Sequence, residues 1–130
     1  MRIDESVPSG TRVFIVEDES LVAMQLEDML LEIGCDIAGM AMRVARAKEM
    51  LAAGLPLDVA ILDVNLGGEQ VYPVAEMLRE RGVRIVFATG YGRSGVSEEW
   101  QTCEVLQKPY TENQVAATLS AALKAPAPLD

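Results

Sequence analysis

At 130 residues, half of them apolar, the chain is long enough for one compact domain and too short for two with separate cores. A formal net charge of −9 opposes binding to nucleic-acid backbones, and the absence of histidine removes the usual general base, the commonest zinc ligand and any phosphohistidine on this chain. No apolar run approaches the roughly 20 residues that cross a bilayer and no signal-peptide pattern opens the sequence, which predicts a soluble, cytoplasmic protein whose chemistry rests on carboxylates, hydroxyls and lysine.

Residues 1–10 mix charge with Ser, Pro and Gly and read as a tail, as do residues 126–130; the domain is expected over 11–125. Arg12–Val16 is a β-rich apolar run, and Val22, Leu26, Met29, Leu30 and Ile33 then recur at helical spacing up to Gly34. A second strand near 37–40 precedes a helix carrying Val44, Ala47 and Leu51, and a third, buried strand is expected over 58–62. After a Gly67-Gly68 loop, a helix carrying Val74, Ala75 and Leu78 ends at Gly82, and a fourth strand follows over 84–88. Residues 91–101 hold Gly92, Gly95 and two serines without a clean apolar stripe, so the fourth helix should be short or irregular, with little packing to resist reordering. A fifth strand near 105–107 leads to a last helix that opens at Thr111 with Gln114 three residues on, a capping-box pattern, and buries Val115, Leu119 and Leu123. Cys35 and Cys103 are too few for a disulfide scaffold and, flanking the second and fifth strands, should not bridge.

Five strands alternating with helices predict an α/β fold: a flavodoxin-like, doubly wound, five-stranded parallel sheet of order 2-1-3-4-5, a (βα)5 chain with right-handed crossovers. Ligands of such sheets bind outside the carboxyl ends of the strands at the topological switch point, here between the first and third strands. Glu17-Asp18, Asp63, Thr89 and Lys108 stand at four of those ends. Crowded carboxylates repel one another, and a divalent cation with oxygen ligands holds them together; Mg²⁺ suits the set because it takes few carboxylates, keeps waters and adds phosphate oxygens. Asp18 and Asp63 as ligands, with Glu17 through water, leave room for a phosphoryl group, and Asp63 becomes the candidate nucleophile. The metal, the Thr89 hydroxyl and the Lys108 ammonium would neutralise the equatorial oxygens in transfer. Taken singly, an acidic pair after a strand is usually a helix start, Thr89-Gly90 a turn and Lys108-Pro109 a strand exit. Their coincidence on one edge of the sheet carries the expectation.

On these residues the sequence resembles a response-regulator receiver domain over residues 11–125: Val16-Glu17-Asp18-Glu19, Leu62-Asp63-Val64-Asn65-Leu66, Ala88-Thr89-Gly90 and Lys108-Pro109-Tyr110 match its motifs. The resemblance implies that Asp63 accepts the phosphoryl group, that Glu17 and Asp18 are the acidic pair, and that the Asn65 carbonyl is the third protein ligand to Mg²⁺. It further implies that Thr89 and Lys108 bind the phosphoryl group, that Gly90 leaves access, and that Lys108-Pro109 is cis. Phe87-Ala88-Thr89-Gly90-Tyr91-Gly92 resembles the FAT GUY subgroup of receivers, often associated with histidine kinases of the HWE and related types. One departure is Val105, where receivers commonly carry an aromatic residue three positions before the lysine, so that signalling is expected to run through Tyr91 and the segment to Gln101 instead.

The resulting expectation is a stand-alone receiver, not a turnover enzyme, that takes a phosphoryl group from a histidine kinase or phosphotransfer protein and acts through a downstream protein or onward transfer. The competing readings are a Mg²⁺-dependent phosphatase with an aspartyl-phosphate intermediate and an interaction module that is never phosphorylated.

Overall fold

The computed structural model describes residues 7–125; residues 1–6 and 126–130, which hold most of the two expected tails, lie outside the described residues. Seven strands and four α-helices follow in order: β1 (Arg12–Val16), α1 (Ser20–Ile33), β2 (Asp36–Ala41), α2 (Val44–Ala52), β3 (Val59–Asp63), β4 (Asn65–Leu66), β5 (Glu69–Gln70), α3 (Tyr72–Glu80), β6 (Arg84–Thr89), β7 (Glu104–Gln107) and α4 (Glu112–Lys124). The sheet is five-stranded in the order β2-β1-β3-β6-β7, with every pairing parallel. In order of the five long strands, this is the expected 2-1-3-4-5 arrangement.

Strand side chains alternate between two buried faces, as a sheet covered on both sides requires. Phe14, Val16, Leu62, Ile85 and Phe87 pack into one core with residues of α2 and α3. Val13, Ile15, Ile61, Val86 and Ala88 pack into the other with residues of α1 and α4. Val7 joins this second core at 4% exposure, so the described part of the N-terminal segment is anchored there. The last helix carries the full capping box: the Thr111 hydroxyl accepts from Gln114 N–H, and the Gln114 side chain accepts from Thr111 N–H.

Two segments differ from the sequence reading. The Gly67-Gly68 loop is the tip of an antiparallel ribbon in which Asn65 pairs with Gln70 and Leu66 with Glu69. Both glycines have positive φ, 57° and 91°, as a two-residue hairpin turn of the primed kind demands. Between β6 and β7 the chain forms two 3-10 turns, Gly92–Gly95 and Glu98–Trp100, in place of an α-helix. The expected irregularity is present, but the expected lack of packing is not: Val96 and Trp100 are buried in the core. Trp100 contacts Tyr72 and Phe87, and the Arg79 guanidinium lies 4.2 Å from its ring centroid. Tyr72 Oη accepts a hydrogen bond from Ser97 N–H at 2.7 Å. Sequence pattern missed this anchoring because a 3-10 turn carries no 3.6-residue stripe.

Candidate functional site: an acidic cluster at the strand ends

Parallel register brings the candidate residues together. Val16 pairs with Leu62, so Glu17 leaves β1 beside Asp63, the last residue of β3. Asp63 pairs with Ala88 and Thr89 with Gln107, which sets Thr89 and Lys108 at the same edge. The Lys108 N–H donates to the Thr89 carbonyl at 2.9 Å, extending the β6–β7 ladder one residue into the site. The Lys108-Pro109 bond is cis.

At the centre, Lys108 Nζ lies 2.8 Å from Glu17 Oε1 and 3.2 Å from Asp63 Oδ2. Glu17, Asp63 and Thr89 are buried polar residues at 3%, 8% and 6% exposure. Burial first, and the neighbouring Glu17 charge second, push the Asp63 carboxyl up to about 7, with Lys108 pulling the other way. Burial alone would lower the Lys108 ammonium, but its hydrogen bond to Glu17 and the Asp63 charge outweigh that and raise it. One ammonium therefore compensates part of a compressed negative charge, and a second cation is electrostatically favoured beside it.

Asp18 completes the cluster. One carboxylate oxygen from each of Glu17, Asp18 and Asp63 lies within 4.8 Å of the others, a spacing that fits a single cation with oxygen ligands. Burial acts to raise Asp18, but hydrogen bonds led by the Gly67 N–H hold it below the ordinary carboxylate value. That amide donates to Asp18 Oδ2 at 2.9 Å, so the ribbon tip orients a candidate ligand from the end of another strand. Asn65, the candidate carbonyl donor, opens the same ribbon two residues after Asp63. The Gly67 contribution escaped the sequence reading because its donor is a backbone amide. The Gly67-Gly68 pair is the hairpin signal that could have found it.

The remaining candidates surround this cluster. Thr89 Oγ1 accepts from Tyr91 N–H at 3.2 Å, a local turn after β6. The Tyr91 ring is 76% exposed. Val105 is half-buried against the core beside Phe87, with which it pairs in register. Tyr110 follows Pro109, and its hydroxyl oxygen is buried with no hydrogen-bond partner among the described residues.

A doubly wound sheet with three carboxylates, a lysine and a threonine at its switch point defines a receiver-type phosphoryl-acceptor domain. The chain belongs to that family: the profile of the response regulator receiver domain matches residues 13–120. The chain is 45% identical to SdrG from Sphingomonas melonis Fr1, whose solution structure superposes with a TM-score of 0.78 over 89% of this chain and 98% of that one. The receiver domain of PhyR from Erythrobacter litoralis is 32% identical, with a TM-score of 0.77 over 91% of this chain and 95% of that one. The phyllosphere-induced regulator PhyR of Methylorubrum extorquens is 28% identical over 117 residues, which are 88% of this chain and 44% of that protein. The chain thus spans under half the length of the curated relatives it matches. As a member of this family it is a response-regulator receiver of two-component signalling. No helix among the described residues is long and apolar enough to cross a membrane.

Proposed function

We propose that Asp63 is the phospho-acceptor of this receiver, that Glu17, Asp18, Asp63 and the Asn65 carbonyl hold Mg²⁺, and that Thr89 and Lys108 bind the transferred group. The observation that carries this reading is the contact of Lys108 Nζ with Asp63 Oδ2 at 3.2 Å inside a three-carboxylate cluster. An Asp63 oxygen attacks phosphorus, the P–N bond to a donor imidazole breaks, and its electron pair leaves with the imidazole. In this reading Lys108 takes charge from the equatorial oxygens, joined by the Thr89 hydroxyl once it turns from the Tyr91 amide toward them. Bound Mg²⁺ would supply further charge neutralisation on the phosphoryl oxygens. Gly90, without a side chain, keeps the approach open.

In this reading the receiver is cytoplasmic and its donor is a histidine kinase or phosphotransfer protein, and the Phe87-Ala88-Thr89-Gly90-Tyr91 segment supports FAT GUY membership and a kinase of the HWE type. Leu21 and Met24, 67% and 58% exposed in the first turns of α1, offer apolar contact beside the acidic pair. A groove lined by Val22, Gln25, Met29 and Tyr110 continues that surface to Lys108. The functional unit runs over residues 11–125 and is not a turnover enzyme beyond slow hydrolysis of its own acyl phosphate.

Intact-mass measurement after treatment with a small phosphodonor and Mg²⁺ tests the assignment. The wild-type domain gains one phosphoryl group, and Asp63→Asn, which keeps size while removing the nucleophile, stays folded and gains none. A variant that is modified to the wild-type extent would show that the acceptor lies elsewhere.

A further inference from the structure

Gly95 closes the first 3-10 turn directly against Thr89. A Cβ built on Gly95 would lie 2.5 Å from Thr89 Oγ1, 3.2 Å from Thr89 Cγ2 and 3.0 Å from Tyr91 Cβ. The first distance is too short for any real contact, so the bare α-carbon is what lets the turn and the threonine hydroxyl share this space. Backbone conformation does not demand the glycine: Gly95 is absent from the positive-φ glycines, unlike Gly92 in the same turn. Its absent side chain therefore matters here only through space.

The hydroxyl occupies the side of Thr89 that meets this turn, where it also accepts the Tyr91 N–H. Binding a phosphoryl group on Asp63 requires that hydroxyl to donate toward the phosphoryl oxygens instead. Two arrangements of Thr89 thus compete, and Gly95 touches one of them.

We propose that Gly95 is a positioning residue for Thr89, providing the pocket in which its hydroxyl rests and so setting the population of the arrangement that engages the phosphoryl group. An added methyl at Gly95 removes the resting place, and either Thr89 turns or residues 92–95 lift away. Both responses disfavour the resting state. A ligand that binds only the competent arrangement has an apparent affinity scaled by that population, so filling the pocket strengthens binding.

This inference rests on the phospho-acceptor reading of Asp63, and the test separates the two. Beryllofluoride with Mg²⁺ is titrated into the wild-type domain, Gly95→Ala, Thr89→Ala and the double variant, with binding followed by ¹⁹F NMR. Gly95→Ala is expected to bind about fivefold or more tightly than wild type. The same change in the Thr89→Ala background is expected to have a much smaller effect, because both threonine atoms that meet the methyl are gone and only the 3.0 Å approach to Tyr91 Cβ is left. A general loosening of the fold would act equally in both backgrounds, so the cycle excludes a merely structural role. Wild-type binding with unchanged or weaker binding by Gly95→Ala, or an equal gain in the Thr89→Ala background, overturns the positioning role alone. A wild-type domain that binds no beryllofluoride overturns the site assignment and this inference with it.

Discussion

Tyr72 and Trp100 stack with ring centroids 6.3 Å apart and planes 12° from parallel, fastening the irregular segment before β7 to the start of α3. Phe87 meets the Trp100 ring edge-on at 5.8 Å, and Arg79 covers it while pairing with Glu99 at 3.2 Å. Trp100→Ala leaves a cavity on the α3 face of the sheet and frees both 3-10 turns. It should cost about 3–5 kcal/mol, against about 1–3 for Trp100→Phe, which keeps an aromatic ring but loses volume. Urea denaturation followed by circular dichroism reads both values. A loss below about 1 kcal/mol for the alanine variant would mean that this cluster does not anchor the segment.

The sheet order and the positions of Glu17, Asp18, Asp63, Thr89 and Lys108 were legible in the sequence for one physical reason. A fully buried parallel strand reads as an apolar run, and polar residues resume where the strand leaves the core. Val59-Ala60-Ile61-Leu62-Asp63 displays that change at the proposed acceptor. What escaped notice depends on contacts far apart in sequence or on the backbone. The β4–β5 ribbon has two-residue strands, too short for any periodicity, and its contribution to the site is the Gly67 amide on Asp18, 49 residues away. Trp100 stands alone in a polar stretch, and its partners Tyr72 and Arg79 lie on another element. The space beside Gly95 is set by a turn whose 3-10 geometry no pattern announced.

Asp58 joins the starts of β1 and β3, and its role predicts a pH signature. Arg12 donates to its carboxylate from the backbone N–H at 2.8 Å, from Nε at 3.1 Å and from an η nitrogen at 3.0 Å. The Arg12 side-chain hydrogen bonds are the main cause that holds the Asp58 carboxyl below its ordinary value. A depressed carboxylate contributes stability that is fully present above the unfolded-state value of about 3.9 and is lost as pH falls through the lower folded-state value. Asp58→Asn should therefore be modestly less stable than wild type at pH 5–8, and the gap should close in the acid range below about pH 4. Salt should narrow it, since both side chains are substantially exposed. A gap that persists undiminished in acid would assign the effect to the neutral hydrogen bonds.

Cys35 and Cys103 precede β2 and β7, the two edges of the sheet, and four interstrand spacings of about 4.8 Å separate those edges. A disulfide needs Cα atoms within roughly 7 Å, so both thiols stay free within one molecule, as they are in the structure. Their reactivities should differ. Burial pushes the Cys35 thiol up to about 11 and the residue is only 3% exposed. Cys103 is half-buried, and burial raises its thiol, with Arg79 and Arg93 offsetting only part of that rise. Native iodoacetamide labelling at pH 8, followed by peptide mapping, should modify Cys103 first and leave Cys35 protected until denaturant is added. Equal native labelling of the two would contradict the burial of Cys35.

Tyr91 is the residue through which the phosphorylated state should be read. Its ring is 76% exposed, which leaves little capacity to shield the Asp63 cluster from water, whereas its N–H is bonded to Thr89 Oγ1. Turning Thr89 toward a phosphoryl group breaks that bond and releases the first 3-10 turn, and the half-buried Val105 has no ring to swing inward in its place. The second turn is held by Trp100, so the rearrangement should spend itself before it. Hydrogen exchange should therefore change on adding beryllofluoride and Mg²⁺ across residues 90–96 and much less across 98–102. Tyr91→Ala should leave the acyl-phosphate lifetime within about twofold of wild type while removing the phosphorylation dependence of partner binding. Should Tyr91→Ala instead shorten that lifetime with partner binding still coupled, the ring is a shield. Should exchange change chiefly around α4 and not in residues 90–96, the output surface lies on that helix.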